Sequence, residues 1–303
     1  MDEDWRGSFD PSLLSHLRSD LGSDAEATVE GRLGVARRLA REWRVVVDGW
    51  LPGATCSLVL TGRRGDEEVV LRTPVTAWEI EASLRALLAF AGRGGVEILA
   101  SDSESGTTLM PRLRPGHTLA EVPEEEAVEA AAGLMRLMRG TAGSGPTVGE
   151  YLQTTLEACP LPSSLRPDLA GDAARLTRSL LDTSPPPAML HGDLHHFNVL
   201  RHGSEWIAID PEGMVGDPAY ECAAFLRNPV PELADDPDLV DRLRQRILRF
   251  SEVLGDPPER IWGWGLVRTV QTVSWSDVSP FHGPWTKVVA ALDALWPEFT
   301  PIL

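Results

Sequence analysis

Between Asn198 and Asp210 the chain carries the composition of a hairpin, with polar groups at its open end. Val199-Leu200 and Trp206-Ile207-Ala208-Ile209 are apolar runs, and Arg201-His202-Gly203-Ser204 between them has the composition of a turn. Two short apolar runs on either side of a glycine-containing turn pair as antiparallel strands. Pairing of that kind brings the residue before the first strand beside the residue after the second, here Asn198 and Asp210. A further carboxylate, Asp193, stands five residues ahead of Asn198 in His191-Gly192-Asp193-Leu194-His195-His196-Phe197-Asn198.

An amide oxygen and a carboxylate are hard donors of the type Mg²⁺ prefers. A separate carboxylate upstream is placed to accept the proton of an attacking hydroxyl. The order of base aspartate, metal-binding asparagine and metal-binding aspartate resembles a kinase catalytic loop. The competing interpretation is a solvated loop rich in His and Asp.

Composition narrows the remaining classes. A chain of 303 residues suits one large or two smaller lobes with ample core. No apolar run reaches the roughly 18 residues of a membrane helix. The acidic start Met1-Asp2-Glu3-Asp4-Trp5 fits neither a signal nor a transit peptide. Three widely spaced cysteines, Cys56, Cys159 and Cys222, fit neither a disulfide framework nor a metal site. Together these features predict a cytoplasmic protein. A net charge of −17 argues against nucleic acid and anionic membranes as partners. The same charge would attract a cationic substrate, or serve solubility alone.

Periodicity predicts two lobes. Leu13, Leu14, Leu17 and Leu21, then Leu33, Val35 and Leu39, follow a helical pattern. Trp43–Val47, Thr55–Leu60 and Glu68–Arg72 read as strands, the last two joined through Gly62–Asp66. Thr76-Ala77-Trp78-Glu79 reads as a capping box opening a helix. Val96–Ala100 and Thr107–Met110 complete a small antiparallel sheet, and Pro111–Gly116 reads as a linker. Beyond it helices dominate: one opened by Pro123, one after Asp235/Asp236-Pro237 that ends at Gly255, and two over Ile261–Asp277 and Trp285–Trp296. The expected fold class is α+β, a bilobal protein-kinase-like fold with a small antiparallel-sheet N-lobe over 1–112 and a larger, mainly helical C-lobe over 113–303.

Three stretches carry a resemblance to a known family: Leu190–Leu200, Ala208–Tyr220, and Gly92–Leu99 with Leu113-Arg114-Pro115-Gly116 after it. Leu226-Arg227-Asn228-Pro229 adds to them. On these the chain resembles the aminoglycoside phosphotransferases, in their streptomycin 6-kinase and hydroxyurea phosphotransferase branch. The resemblance implies transfer of the ATP γ-phosphate to a hydroxyl of a small antibiotic, by a monomer or homodimer using ATP and Mg²⁺. It implies Asp193 as catalytic base and Asn198 and Asp210 as metal ligands. His191 is expected to brace the loop and Asp217 the segment after the metal site. Glu212 stands where related sequences often have a lysine. Ser57, in Ala54-Thr55-Cys56-Ser57, falls where a turn would cover the phosphates. Met110, Arg112 and Leu113 match the linker that would bind adenine through its backbone.

The family lysine of the strand before the first long helix is replaced by Arg72, and Glu81 is its expected helix partner. Arginine is longer, planar and bidentate where lysine is a compact point charge. Two function classes therefore stay open, a small-molecule kinase and a degenerate kinase-fold binder without efficient turnover. Hydroxyurea and nucleoside or peptide antibiotics remain alternative acceptors. The acceptor is expected to be cationic and held by the helical lobe. Candidates are His195, Glu232, Asp235, Trp275 and Asp277, with Trp264, Arg268, Gln271 and Trp275 sharing a helix face. Core packing of the tryptophans is the competing interpretation.

Overall fold

The computed structural model describes residues 24–51, 56–156, 161–275 and 279–299. The chain divides into two compact units, Met1–Arg114 and Pro115–Leu303. The division falls two residues beyond the expected one. β-structure runs through Pro111, the Arg112 N–H donates to Glu68 O at 2.9 Å, and Arg114 pairs with Glu68.

The first unit opens with α1 (Ala25–Glu42), whose buried Ala25, Val29, Leu33, Ala36, Leu39 and Ala40 recur at helical spacing. Leu13, Leu14, Leu17 and Leu21 lie outside the described residues. Strands β1 (Val46–Trp50), β2 (Ser57–Arg64) and β3 (Glu67–Pro74), helix α2 (Ala77–Phe90), and strands β4 (Ala100–Asp102) and β5 (Thr107–Pro111) follow. The strands form one antiparallel sheet in the order β1-β2-β3-β5-β4. β1 begins later than expected because α1 runs to Glu42 and the chain turns at Arg44, whose φ is 58°. The β2–β3 turn is tighter than expected, since Gly62 belongs to β2. A Cβ there would lie 2.5 Å from Val46 O, so only glycine admits the close approach of β1. β4 starts only at Ala100, because the Arg93 and Gly95 N–H groups fold back onto Phe90 O. Val69 and Leu71 of β3 pack with Ala36 and Ala40 of α1 and with Leu60 and Leu109. By strand alternation Arg72 sits on the opposite face of β3.

The second unit starts with β6 (Pro115–Thr118), which shortens the expected linker. β6 pairs with β8 (Val199–His202), and β8 with β9 (Glu205–Ala208). Between them come α3 (Glu124–Met138), α4 (Val148–Leu156), α5 (Leu169–Asp182) and β7 (Ala188–Leu190). Pro123 precedes α3 and three glutamates fill its first turn, an arrangement that favours the positive end of the helix dipole. β10 (Met214–Gly216) pairs with β7. Helices α6 (Cys222–Leu226), α7 (Leu239–Leu254), α8 (Pro258–Trp275), α9 (His282–Ala294) and α10 (Trp296–Phe299) complete the unit. Every residue from Arg260 to Gln271 is buried, and α8 packs against α5, α6, α7 and α9. A helix covered on all sides is the core of its unit. Among the described residues no helix is long and apolar enough to cross a membrane, and Cys222 is a buried free thiol.

Candidate active site

The loop after β7 is held from beneath. Glu221 accepts the His191 N–H at 2.7 Å and the Gly192 N–H at 2.9 Å, one on each carboxylate oxygen. Burial pushes the Glu221 carboxyl up to about 7, against the two N–H groups that favour its ionised form. Gly192 has φ 82°, and a Cβ there would come within 3.3 Å of the Glu212 Cβ. The buried His191 ring accepts the Asp193 N–H on Nδ1 at 3.3 Å, which leaves the proton on Nε2 to donate to Ile209 O at 2.8 Å. Burial pushes its pKa down to about 4, so the ring stays neutral. His191 thus ties the loop to the end of the β9 strand, one residue before Asp210.

Asp193 is surrounded by donors. Arg227 Nη2 donates to Oδ1 at 2.9 Å, His195 Nε2 lies 3.3 Å from Oδ2, and Asn198 Nδ2 donates to Asp193 O at 2.9 Å and to Oδ2 at 3.3 Å. Burial alone would raise this carboxyl's pKa, but His195 and then Arg227 outweigh it and hold it well below the usual carboxylate range. His195 accepts the Phe197 N–H on Nδ1. The geometry therefore makes it a neighbour of Asp193 as well as a candidate pocket residue.

The hairpin forms as the apolar runs predict, with Val199 opposite Ala208 and the Ile209 N–H donating to Asn198 O at 2.9 Å. Asn198 and Asp210 accordingly flank its open end. The Asn198 amide nitrogen is engaged by Asp193, so the oxygen is the end left to present. Asp210 is exposed and left-handed, with φ 58°, a backbone state that aspartate tolerates better than most residues. Among the described residues no group of three or more His, Cys, Asp or Glu side chains could enclose a metal ion. An amide oxygen with one carboxylate is instead the sparse, hard-oxygen donor set that suits Mg²⁺ carrying phosphate and water as its other ligands.

Several pairings escaped the sequence reading. Glu212 accepts from Arg268 Nη2 on Oε1 at 3.2 Å, while its Oε2 is buried without a partner. Burial pushes the Glu212 carboxyl up to about 7. Arg268 Nη1 also donates to the Tyr151 hydroxyl at 2.7 Å and to Gln271 Oε1 at 2.9 Å. The face shared by Trp264, Arg268 and Gln271 is therefore polar core, not an open platform for a ring. Trp264 Nε1 donates to Asp217 Oδ2 at 2.6 Å, and Trp262 Nε1 to Leu292 O at 2.8 Å. Asp217 also accepts the Ala219 N–H and Arg260 Nε. The Trp275 side chain and all of Asp277 lie outside the described residues. Glu232 and Asp235 are exposed on a short 3₁₀ turn, and Asp235 pairs with Lys287 at 2.8 Å. Among the described residues, no hydrogen bond or ion pair of theirs reaches the Asp193 loop.

In the first unit, Arg72 and Ser57 are buried and Met110 lies within β5. Glu81 is not the partner of Arg72: it stands exposed on α2 and pairs with Arg85 one turn along the same helix. The Arg112 N–H is engaged by Glu68 O, so Arg112 has no backbone donor to offer a base; Leu113 follows half-buried. Ala54 and Thr55, like the side chain of Glu79, lie outside the described residues.

Comparison with known proteins agrees with this arrangement. The family model described as aminoglycoside/hydroxyurea antibiotic resistance kinase matches residues 42–279. A streptomycin 6-kinase of Streptomyces glaucescens is 31% identical over 280 residues, covering 88% of this chain and 89% of the relative. A choline/ethanolamine kinase family protein from Mesorhizobium loti superposes with a TM-score of 0.64 at 18% identity, over 91% of this chain and 97% of its own. An aminoglycoside phosphotransferase APH(4)-Ia, solved with ADP and hygromycin B, superposes with a TM-score of 0.57 at 17% identity, over 86% and 97%. These last two establish a protein-kinase-like fold. With a loop, hairpin and fold of this type, and a family match across most of its length, the chain belongs to the aminoglycoside/hydroxyurea antibiotic resistance kinases.

Proposed function

We propose that the chain is an ATP- and Mg²⁺-dependent O-phosphotransferase that moves the γ-phosphoryl group to a hydroxyl of a small antibiotic, with a streptomycin-type acceptor favoured. The observation that carries this is the Asp193 loop joined to the Asn198–Asp210 hairpin mouth. In this reading Asp193 receives the acceptor hydroxyl. A carboxylate held so far toward its ionised form is a weak base. It therefore orients the hydroxyl first and takes the proton late, which suits a loose transition state that asks little early proton transfer. Asn198 Oδ1 and Asp210 would hold the metal. Mg²⁺ would neutralise charge on the β- and γ-phosphates. His191 and Glu221 keep the loop in register, and neither needs to touch a substrate. His195 is the acceptor-side candidate beside Asp193. Trp275, Asp277, Glu232 and Asp235 remain candidates farther out.

A second reading, a nucleotide or antibiotic binder without efficient turnover, is favoured by Arg72 alone, buried in the place of the family lysine. The decisive experiment incubates purified protein with Mg·ATP and streptomycin and detects the phosphorylated product by mass spectrometry. Transfer that is abolished by chelating the metal is expected. Asp193→Asn should keep ATP affinity and lose about 10²–10⁴-fold in turnover. Near-wild-type turnover in that variant would remove Asp193 from the mechanism. ATP binding without transfer to streptomycin, hydroxyurea or other hydroxylated antibiotics would favour the second reading.

A further inference from the structure

Arg227 ends α6, all five residues of which are buried. Its backbone is clamped from both sides by one buried side chain: Arg246 Nη1 donates to Phe225 O at 3.0 Å and to Asn228 O at 2.6 Å. Arg246 is itself held by Glu124 through two hydrogen bonds, at 2.5 and 2.9 Å. Asn228 is tied back through Nδ2 to Ala224 O at 2.9 Å. The Arg227 guanidinium is buried, lies 5.9 Å from the Trp285 ring centroid, and gives Asp193 a single bond from Nη2 at 2.9 Å, while its Nε has no partner. Desolvating a guanidinium is costly, and one monodentate ion pair satisfies it poorly. For folding alone this is an uneconomical placement. Among the described residues its one side-chain hydrogen bond goes to the carboxylate on which turnover depends.

We infer that Arg227 is a positioning residue for phosphoryl transfer, fixing through the α6–Arg246 clamp which oxygen of Asp193 faces the acceptor hydroxyl. The inference rests on the reading of Asp193 given above. Arg227 occupies Oδ1. The other oxygen, Oδ2, has only the longer contacts at 3.3 Å to His195 and Asn198. Oδ2 is thus the oxygen that exchanges a weak donor for the hydroxyl. Without Arg227 the carboxylate can rotate and present either oxygen, and a misplacement on the order of 1 Å costs about 10²-fold in rate.

The test compares Arg227→Met and Arg227→Lys with wild type, using Mg·ATP and streptomycin, and reads kcat and both KM values. Arg227→Met should lose about tenfold to hundredfold in kcat with both KM values within about twofold. Arg227→Lys keeps one N–H donor and should recover part of the loss. A second measurement is independent of turnover: the Tm cost of Arg227→Met in wild type and in an Asp193→Ala background. If the two side chains are coupled, that cost is smaller, or reversed, when Asp193 is absent. An unchanged kcat, a lysine variant no better than methionine, a loss confined to the streptomycin KM, or equal Tm costs in both backgrounds each overturns the inference. Should Arg227→Met not fold, Arg227→Gln replaces it in both measurements. A wild type inert toward every acceptor overturns the proposed function instead, and the Tm comparison then decides the Arg227–Asp193 pairing by itself.

Discussion

Arg72 stands where the resemblance implies a lysine, and its burial sharpens the question. A buried arginine keeps its charge at any working pH and offers a planar fork of five donors, where lysine offers a point charge. If Arg72 serves the phosphates, Arg72→Ala should raise the ATP KM or lower turnover by about tenfold or more. Arg72→Lys should keep much of the activity or improve it. Equal kinetics in all three proteins would make Arg72 a packing residue. The individual site residues were legible to different depths. Asp193, Asn198 and Asp210 could be singled out as candidates because hairpin pairing is local and their spacing is short. Glu221, Arg227 and Glu212 could not, because their partners are distant in sequence: Glu221 reaches back 29 residues to Gly192, Arg227 34 to Asp193, and Arg268 56 to Glu212. A buried carboxylate that braces backbone looks, in sequence, like any surface acid. Glu81 was misassigned for the converse reason: an exposed i,i+4 pair with Arg85 satisfies it locally.

At the scale of elements, the expected helices of the second unit and most expected strands appeared with ends moved by tertiary contacts, whereas the strand expected over Val96–Ala100 begins only at Ala100 and α4 and α5 were not foreseen. β2 ran on through Gly62 because a neighbouring strand needed the missing Cβ, which no turn propensity encodes. Trp262 and Trp264 of α8 went to the core, and what the sequence could not show is how they are satisfied there. Asp217 ties three elements together: it starts the turn before α6, and it accepts from Arg260 and Trp264 of α8, with Arg260 reaching on to Leu180 O of α5 at 2.7 Å. Arg260 and Trp264 are both buried, so Asp217→Ala would leave the Arg260 Nε–H and the Trp264 indole N–H without their acceptor and break the ion pair. Breaking a buried pair from one side costs about 3–5 kcal/mol. In a unit of this size that is on the order of 10 °C in Tm, measurable by calorimetry. Asp217→Asn, which keeps an acceptor oxygen, should fall between. A Tm shift below about 2 °C for the alanine variant would mean that water replaces the carboxylate without loss.

At the scale of the whole molecule, buried titratable groups and net charge give two separate pH and salt signatures. Burial holds His191 near 4 and His196 near 2, against 6.5 for a free imidazole. In the unfolded chain these rings bind protons below about 6.5, so each contributes stability that is present above that pH and is lost as pH falls toward the folded value. Glu212 and Glu221, pushed up to about 7 from 4.5, act with the opposite sign: their contribution is full below 4.5 and is lost as pH rises through 7. The wild-type slope between pH 4.5 and 6.5 is therefore a near-cancellation, and a single variant reads it better. His196 stacks on Phe225 at 3.9 Å with neither ring nitrogen partnered. His196→Phe should thus be more stable than wild type by a margin that widens as pH drops from 6.5 to 4.5. A pH-independent margin would show that His196 does not resist protonation. Charge acts differently. The net −17 belongs to the whole chain, while beside Asp193 the buried guanidiniums of Arg227 and Arg268 offset the carboxyl groups of Asp193 and Glu212. Attraction of a cationic acceptor would then be long-range and screened. Raising ionic strength from about 0.01 M to about 0.5 M shortens the Debye length from roughly 30 Å to a few Å, so the streptomycin KM should rise while kcat holds. ATP is anionic and gains nothing from the acidic surface, so its KM should not rise in parallel. Glu232→Gln and Asp235→Asn each remove one exposed negative charge, and the second also frees Lys287, so both should move the streptomycin KM in the direction of salt and leave the ATP KM alone. A streptomycin KM indifferent to salt and to both substitutions would leave the acidity as a solubility trait and place acceptor selection entirely in the residues that touch it.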